Sequence, residues 1–266
     1  MRGAAIFFLA SSIFAEPLLT PRLAEWRREI EKLSGSKVSI TYVEWDREAN
    51  TYSLPPDAPS PALFAAYLKE EEFARDFQHV HGLMAAHRPE QGPVEYLIFL
   101  NLGWRAQWGP FEEALLAHEL FHAWLHASQY PAPRRQSGKA GCLSLATADL
   151  VQHVVMRAEL EKRGINHAPY QRSKLEWTLR RQQQGSPPDD PCLRVKLISE
   201  WVDHQLELGP VPEYEALIRR WFPGLEPVAQ EIASYLVARN LSDKTQHREA
   251  LSFVFYRLRG FWDTGK

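Results

Sequence analysis

Cysteine is scarce in this chain: two residues in 266, with no CxxC. That excludes a thiolate zinc module and a multiply bridged mini-scaffold. An excess of one charge is also missing, since 31 Lys and Arg stand against 33 Asp and Glu for a formal net charge of −2. Electrostatics therefore gives no reason to expect nucleic acid or an anionic membrane as partner. After residue 15 no apolar run approaches the roughly 20 residues that a spanning helix needs. Glycine (14) and proline (19) are too few for a collagenous or low-complexity chain. No P-loop and no GxSxG elbow occurs, which removes two common routes to phosphate and ester chemistry. What is present is 45% hydrophobic residues, nine Trp among them, enough to bury a sizeable core.

The first fifteen residues stand apart from the rest. Arg2 and the amino terminus make a positive start, Ala4 to Phe14 is apolar apart from two serines, and Ala15 precedes Glu16-Pro17. This pattern predicts a signal peptide over residues 1–15 and a secreted or periplasmic protein. No repeat or long linker divides residues 16–266, which therefore read as one domain. In an oxidising compartment, the two cysteines predict a Cys142–Cys192 bridge.

Hydrophobic spacing gives a coarse outline. Glu25 to Leu33 reads as a short amphipathic helix, and the alternation of Val38 to Trp45 reads as a strand. Tyr52 to Pro61 carries four prolines and reads as a loop, while Leu63 to Ala86 is helical in composition. Val94 to Asn101 (VEYLIFLN) is the strongest strand, apolar enough for a sheet covered on both faces. Helices then follow one another: Phe111 to Ala127 behind Pro110, Ala146 to Arg163 ending at Gly164, and Tyr170 to Gln184. The next is opened by Asp190-Pro191 and runs to Leu206, and two more cover Pro227 to Arg239 and Lys244 to Arg259. A small sheet first and helices afterwards is an α+β chain.

One helix carries the chemistry. His118-Glu119-Leu120-Phe121-His122 is an HExxH sequence, which random placement would produce only about 0.03 times in a chain of this composition. Histidines four apart on a helix differ by about 40° in azimuth and about 6 Å along the axis, so both imidazoles can meet one ion. Glu119 is then placed to take a proton from a water on that ion. The flanks are apolar (Leu115 to Ala117, Ala123 to Leu125), so the helix is expected to be buried. Buried polar side chains of this kind need something to satisfy them, and a zinc ion would do so.

On these residues the chain resembles the zincin metallopeptidases, whose hallmark is HExxH on the active-site helix. The resemblance spans about Val94 to Gly164. It implies His118 and His122 as zinc ligands, Glu119 as general base, a zincin-like fold, and Val94 to Asn101 as the strand that pairs with an extended substrate. Metzincins continue HExxHxxGxxH; Leu125 and Ser128 occupy the glycine and third-histidine positions here, so the likeness is to the gluzincin-like branch, including uncharacterised bacterial members. The third ligand must then come from a later helix. In Ala146 to Arg163 the candidates are His153, with Asp149 one turn earlier as its orienting partner or an alternative ligand, and Glu159 as a further alternative.

The remaining polar groups take simpler readings. His126 is about 12 Å along the axis from His118, too far to share an ion, and is expected at the surface or behind a ligand. His79, His81 and His87 read as local caps or surface. Asp203 and His204 form a possible pair with no tie to the motif, and Tyr170 or His167 are candidates for stabilising an oxyanion. The expected function is a zinc-dependent peptide or protein hydrolase. Its rivals are a zincin-shaped metal-binding protein without turnover and a metal-free helical interaction protein.

Overall fold

The computed structural model describes residues 16–46, 49, 51–133, 139–182, 190–222 and 224–264. The expected signal peptide lies outside them. Four strands form one mixed sheet: β1 (Val38–Asp46), β2 (Thr51–Ser53), β3 (Gly82–His87) and β4 (Glu95–Asn101), in the order β2-β1-β4-β3. β1 and β4 run parallel, with Ile40 opposite Ile98 and Tyr42 opposite Leu100. β3 returns antiparallel to β4, with Met84 opposite Ile98.

Period-two alternation sends the two faces of β1 and β4 into different clusters. Ile40, Tyr42, Ile98 and Leu100 join the main core, packed with the helices α1 (Pro21–Ser34) and α5 (Glu112–Ala127). Val43, Leu97 and Phe99 join a smaller aromatic cluster with Phe64, Phe73 and Phe77 from α2 (Pro61–Lys69) and α3 (Glu71–Phe77).

Two expectations need correction here. Leu63 to Ala86 is not one helix: it breaks at Glu70, continues as α3, and ends in strand β3. The sequence GLMAAH has ordinary helix formers, and only its pairing with β4 makes it a strand. Nor can Val94 to Asn101 take a substrate strand, because β1 and β3 occupy both sides of β4. The sheet edge beside α5 is β3.

Past Asn101 the described chain is helical: the short α4 (Arg105–Trp108), α5, α6 (Lys139–Lys162), α7 (Ala168–Gln182), α8 (Pro191–Leu208), α9 (Pro212–Trp221), α10 (Glu226–Val237) and α11 (Lys244–Thr264), all but α4 and α9 among the expected helices. Pro110 sits in a 3₁₀ turn, Gly109–Phe111, that feeds α5. Gly164 takes the left-handed φ of +67° that stops the chain after α6, where a side chain would be strained. Asp190 caps α8 by accepting from the Cys192 N–H at 2.8 Å. The ten-residue α9 lies between Pro210 and Pro223, a spacing too tight for its periodicity to stand out.

α6 begins seven residues earlier than Ala146 and so includes Cys142, which is bridged to Cys192 with Cα atoms 5.7 Å apart. Closing this 50-residue separation contributes about 4 kcal/mol in the chain-entropy treatment. The bridge joins the first turns of α6 and α8. Eleven residues further along each helix, His153 meets Asp203, so the two helices run parallel and in register.

Candidate metal centre

α5 is buried along most of its length, from Ala114 through Phe121 and at Ala123 and Leu125. Its position is set by pairs at its start and end. Glu113 binds Arg22 of α1 at 2.8 Å, Tyr42 of β1 bonds Glu112, and the Trp124 indole donates to Glu29 at 3.0 Å. These contacts hold His118, Glu119 and His122 against α6, which brings in His153.

The three imidazoles converge. Their ring centroids are 4.7 Å apart for His118–His153, 4.9 Å for His118–His122 and 5.6 Å for His122–His153. One nitrogen from each lies within 4.8 Å of the others, forming a group that could hold a metal ion. Burial, then repulsion from His153, holds His122 down to about 3, and the same causes hold His118 well below the usual imidazole range. Both rings are therefore neutral at pH 7.

Hydrogen bonding decides which nitrogen of each ring is bare. His122 Nδ1 faces the Gln152 Oε1 acceptor at 3.1 Å, and His153 Nδ1 faces the Asp203 carboxylate at 3.0 Å. His167 Nδ1 faces Glu207 Oε1 at 2.7 Å, which leaves its Nε2 to accept from His118 Nδ1 at 3.4 Å. Each Nδ1 thus carries the hydrogen, and each ligand histidine keeps an Nε2 lone pair. The Nε2 atoms of His118 and His122 face each other at 3.2 Å, an arrangement that cannot be a hydrogen bond between two lone pairs. It does match two corners of a tetrahedral site, which for bonds near 2.1 Å are about 3.4 Å apart. The three histidines could therefore hold a metal ion, with hydrogen-bonded supports on their Nδ1 atoms.

Several of those supports come from helices with no link to the motif in sequence. Asp203 on α8 also accepts from Arg157 at 2.7 Å and Gln171 at 2.8 Å. Burial alone would push its carboxyl up, but His153 and Arg157 outweigh that and keep it ionised. Gln152 and Glu207 were not legible as site residues; His167, expected at the oxyanion, instead bonds His118 and Glu207, and Asp203 faces His153 rather than pairing with His204. Asp203 had one usable signal: it follows Cys192 by the same eleven residues that separate His153 from Cys142.

Glu119 is 5% exposed and lies against β3, where a Cβ added to Gly82 would stand 2.9 Å from its Oε1. Burial, then the charge of Asp149, raises its carboxyl to about 8 against the opposing pull of Lys174 and the Met84 backbone. Asp149 is not the orienting partner of His153, a place Asp203 takes. Its carboxyl lies within electrostatic reach of both His153 and Glu119, and no described residue hydrogen-bonds it. Glu159 turns away to Arg163 at 2.8 Å and Lys162 at 3.5 Å and is no ligand.

Tyr170 is buried, and burial together with the Glu119 charge pushes its hydroxyl well above 10. It bonds His81 Nδ1 at 3.0 Å, and His81 Nε2 meets Gln107 at 3.0 Å. His81 is therefore bound between Tyr170 and Gln107 and not a simple cap; burial lowers it to about 4. His167 is engaged with His118 and Glu207, which leaves Tyr170 as the candidate beside Glu119. His126 is exposed and bonds Tyr96 at 3.0 Å, away from the cluster. Comparison with protein-family models, characterised proteins and solved structures finds no match.

Proposed function

We propose that this chain is an exported zinc-dependent hydrolase, most simply a metallopeptidase of zincin-like design. The observation that carries the reading is the convergence of three bare Nε2 atoms with a buried carboxylate on the same helix. Zinc held by His118, His122 and His153 would supply a Lewis acid for the scissile carbonyl and lower the pKa of water to about 7. The Glu119 carboxylate, buried on the same helix as His118 and His122, would accept a proton from the attacking water. The water oxygen bonds the carbonyl carbon, the C–N bond breaks, and Glu119 returns the proton to the leaving nitrogen. Tyr170 offers a hydroxyl to the developing oxyanion on exchanging its bond to His81.

β3 supports the peptide reading. It lies at the sheet edge among the described residues and runs directly beside Glu119, so an extended chain could add to it by main-chain pairing. The bridge supports an oxidising compartment, and no helix of the described residues is long and apolar enough to cross a membrane. The test is chelator-sensitive cleavage of a peptide library by the zinc-loaded protein, compared with Glu119→Gln. Cleavage lost in that variant with zinc retained is expected. Bound zinc with no cleavage in either protein would instead leave a metal-binding protein without turnover.

A further inference from the structure

Helix α7 holds a half-buried lysine, Lys174, that forms no ion pair with a described carboxylate, although its charge reaches Glu119, Asp149 and Asp203. Tyr170, Lys174 and Trp177 recur at i, i+4 and i+7 along α7 and form one stripe. Lys174 Nζ lies 5.7 Å from the centre of the Tyr170 ring, and Trp177 packs edge-on against Trp104 at 5.3 Å. Tyr170 in turn bonds His81, and the next residue, Gly82, lies against the Glu119 carboxyl. These contacts link the half-buried Lys174 through Tyr170 and His81 to the strand beside Glu119.

Two other half-buried cations are paired: Arg157 with Asp203 at 2.7 Å and Arg163 with Glu29 at 2.9 Å. Lys174 has no described carboxylate within 4.0 Å, although its charge reaches both Glu119 and Asp149. A half-buried cation without an ion pair gains more from an incoming anion than a solvated surface lysine does.

We propose that Lys174 sets substrate specificity by pairing with a carboxylate on the residue next to the scissile bond. The scale agrees: one turn carries Lys174 about 6 Å along α7 from Tyr170, and a neighbouring residue lies about 3.8 Å from the cleaved one before the ammonium reach is added. A free C-terminus and an acidic side chain both supply that carboxylate. This inference rests on the hydrolase reading above.

The test is calorimetric titration of zinc-loaded protein with three malonyl-hydroxamate probes, built on leucine, leucinamide and glutamic acid α-amide. At least one acid should bind about tenfold or more tightly than leucinamide, the size of one charge-assisted hydrogen bond. Preference for the leucine acid identifies a C-terminal carboxylate, and preference for the glutamate probe a side chain. Lys174→Met should erase the preference while leaving leucinamide binding unchanged, and Lys174→Arg should retain it. Equal binding of all three probes by the unmodified protein would overturn the role of Lys174 alone. Failure of every probe to bind, with zinc present, would overturn the hydrolase reading and this inference with it.

Discussion

Replacing Asp203 by alanine probes the part of the metal site that lies farthest from the motif in sequence. The substitution leaves three donors without an acceptor: His153 Nδ1, the Arg157 guanidinium and the Gln171 amide, now bonded at 3.0, 2.7 and 2.8 Å. Leaving Arg157 unpaired beside a buried position should destabilise the fold by about 3–5 kcal/mol. Freed from its carboxylate, His153 can also place its hydrogen on Nε2 and lose the lone pair that faces His118 and His122. Zinc affinity should fall about 10- to 100-fold, the usual cost of losing such a support. Asp203→Asn keeps the volume and one acceptor, so it should recover most of the stability and little of the affinity. The assay is competitive zinc titration against a chelator of known affinity, with urea unfolding run in parallel. Asp149→Ala is the control and should change zinc affinity less than Asp203→Ala does, since Asp149 reaches His153 through charge and not through a hydrogen bond. A larger loss in Asp149→Ala than in Asp203→Ala would refute the assignment.

Other perturbations test separate parts of the account. Gly82→Ala adds a methyl group 2.9 Å from Glu119 Oε1, so peptide cleavage should fall by more than tenfold while zinc content stays at the original level. Unchanged turnover in Gly82→Ala would mean that Glu119 does not need its present position. Reducing the Cys142–Cys192 bridge should lower unfolding stability by about 4 kcal/mol, and coincident urea curves with and without reductant would contradict this. In zinc-free protein, His122 and His81 are held at about 3 and about 4, below their ordinary 6.5. Their contribution to stability is complete above pH 6.5 and is lost as pH falls, by roughly 2 kcal/mol each at pH 5. His81→Gln should remove about 2 kcal/mol of the loss between pH 6.5 and 5, since the loss at His118 and the opposing gain at Glu119 are common to both proteins, and identical pH profiles for the two would sink the argument.

How much was readable in the chain depends on how local each signal is. The HExxH spacing, the alternation of β1 and the Asp190-Pro191 helix start are encoded within a few residues, and the structure has all three. His153 was reachable because its helix presents few polar residues on an apolar face, with Leu150, Met156 and Leu160 buried around it. β3 was not, because GLMAAH becomes a strand only through its partner β4. The roles of Asp203, Gln152 and the His167–Glu207 pair are long-range as well. They depend on how α6, α7 and α8 are stacked, and no periodicity within a helix records what the neighbouring helix brings to it. Asp149 shows the cost of local reasoning: an i, i+4 carboxylate suited His153, yet a carboxylate 50 residues further on faces it.

The central claim is that His118, His122 and His153 together hold one zinc ion. Titration of chelated protein with zinc, followed by elemental analysis after gel filtration, tests it directly. The account predicts one equivalent per chain for the unmodified protein and a loss of affinity by several orders of magnitude in His153→Ala. Protein that retains no zinc, or a His153→Ala variant that binds it as tightly as the original, would contradict the account.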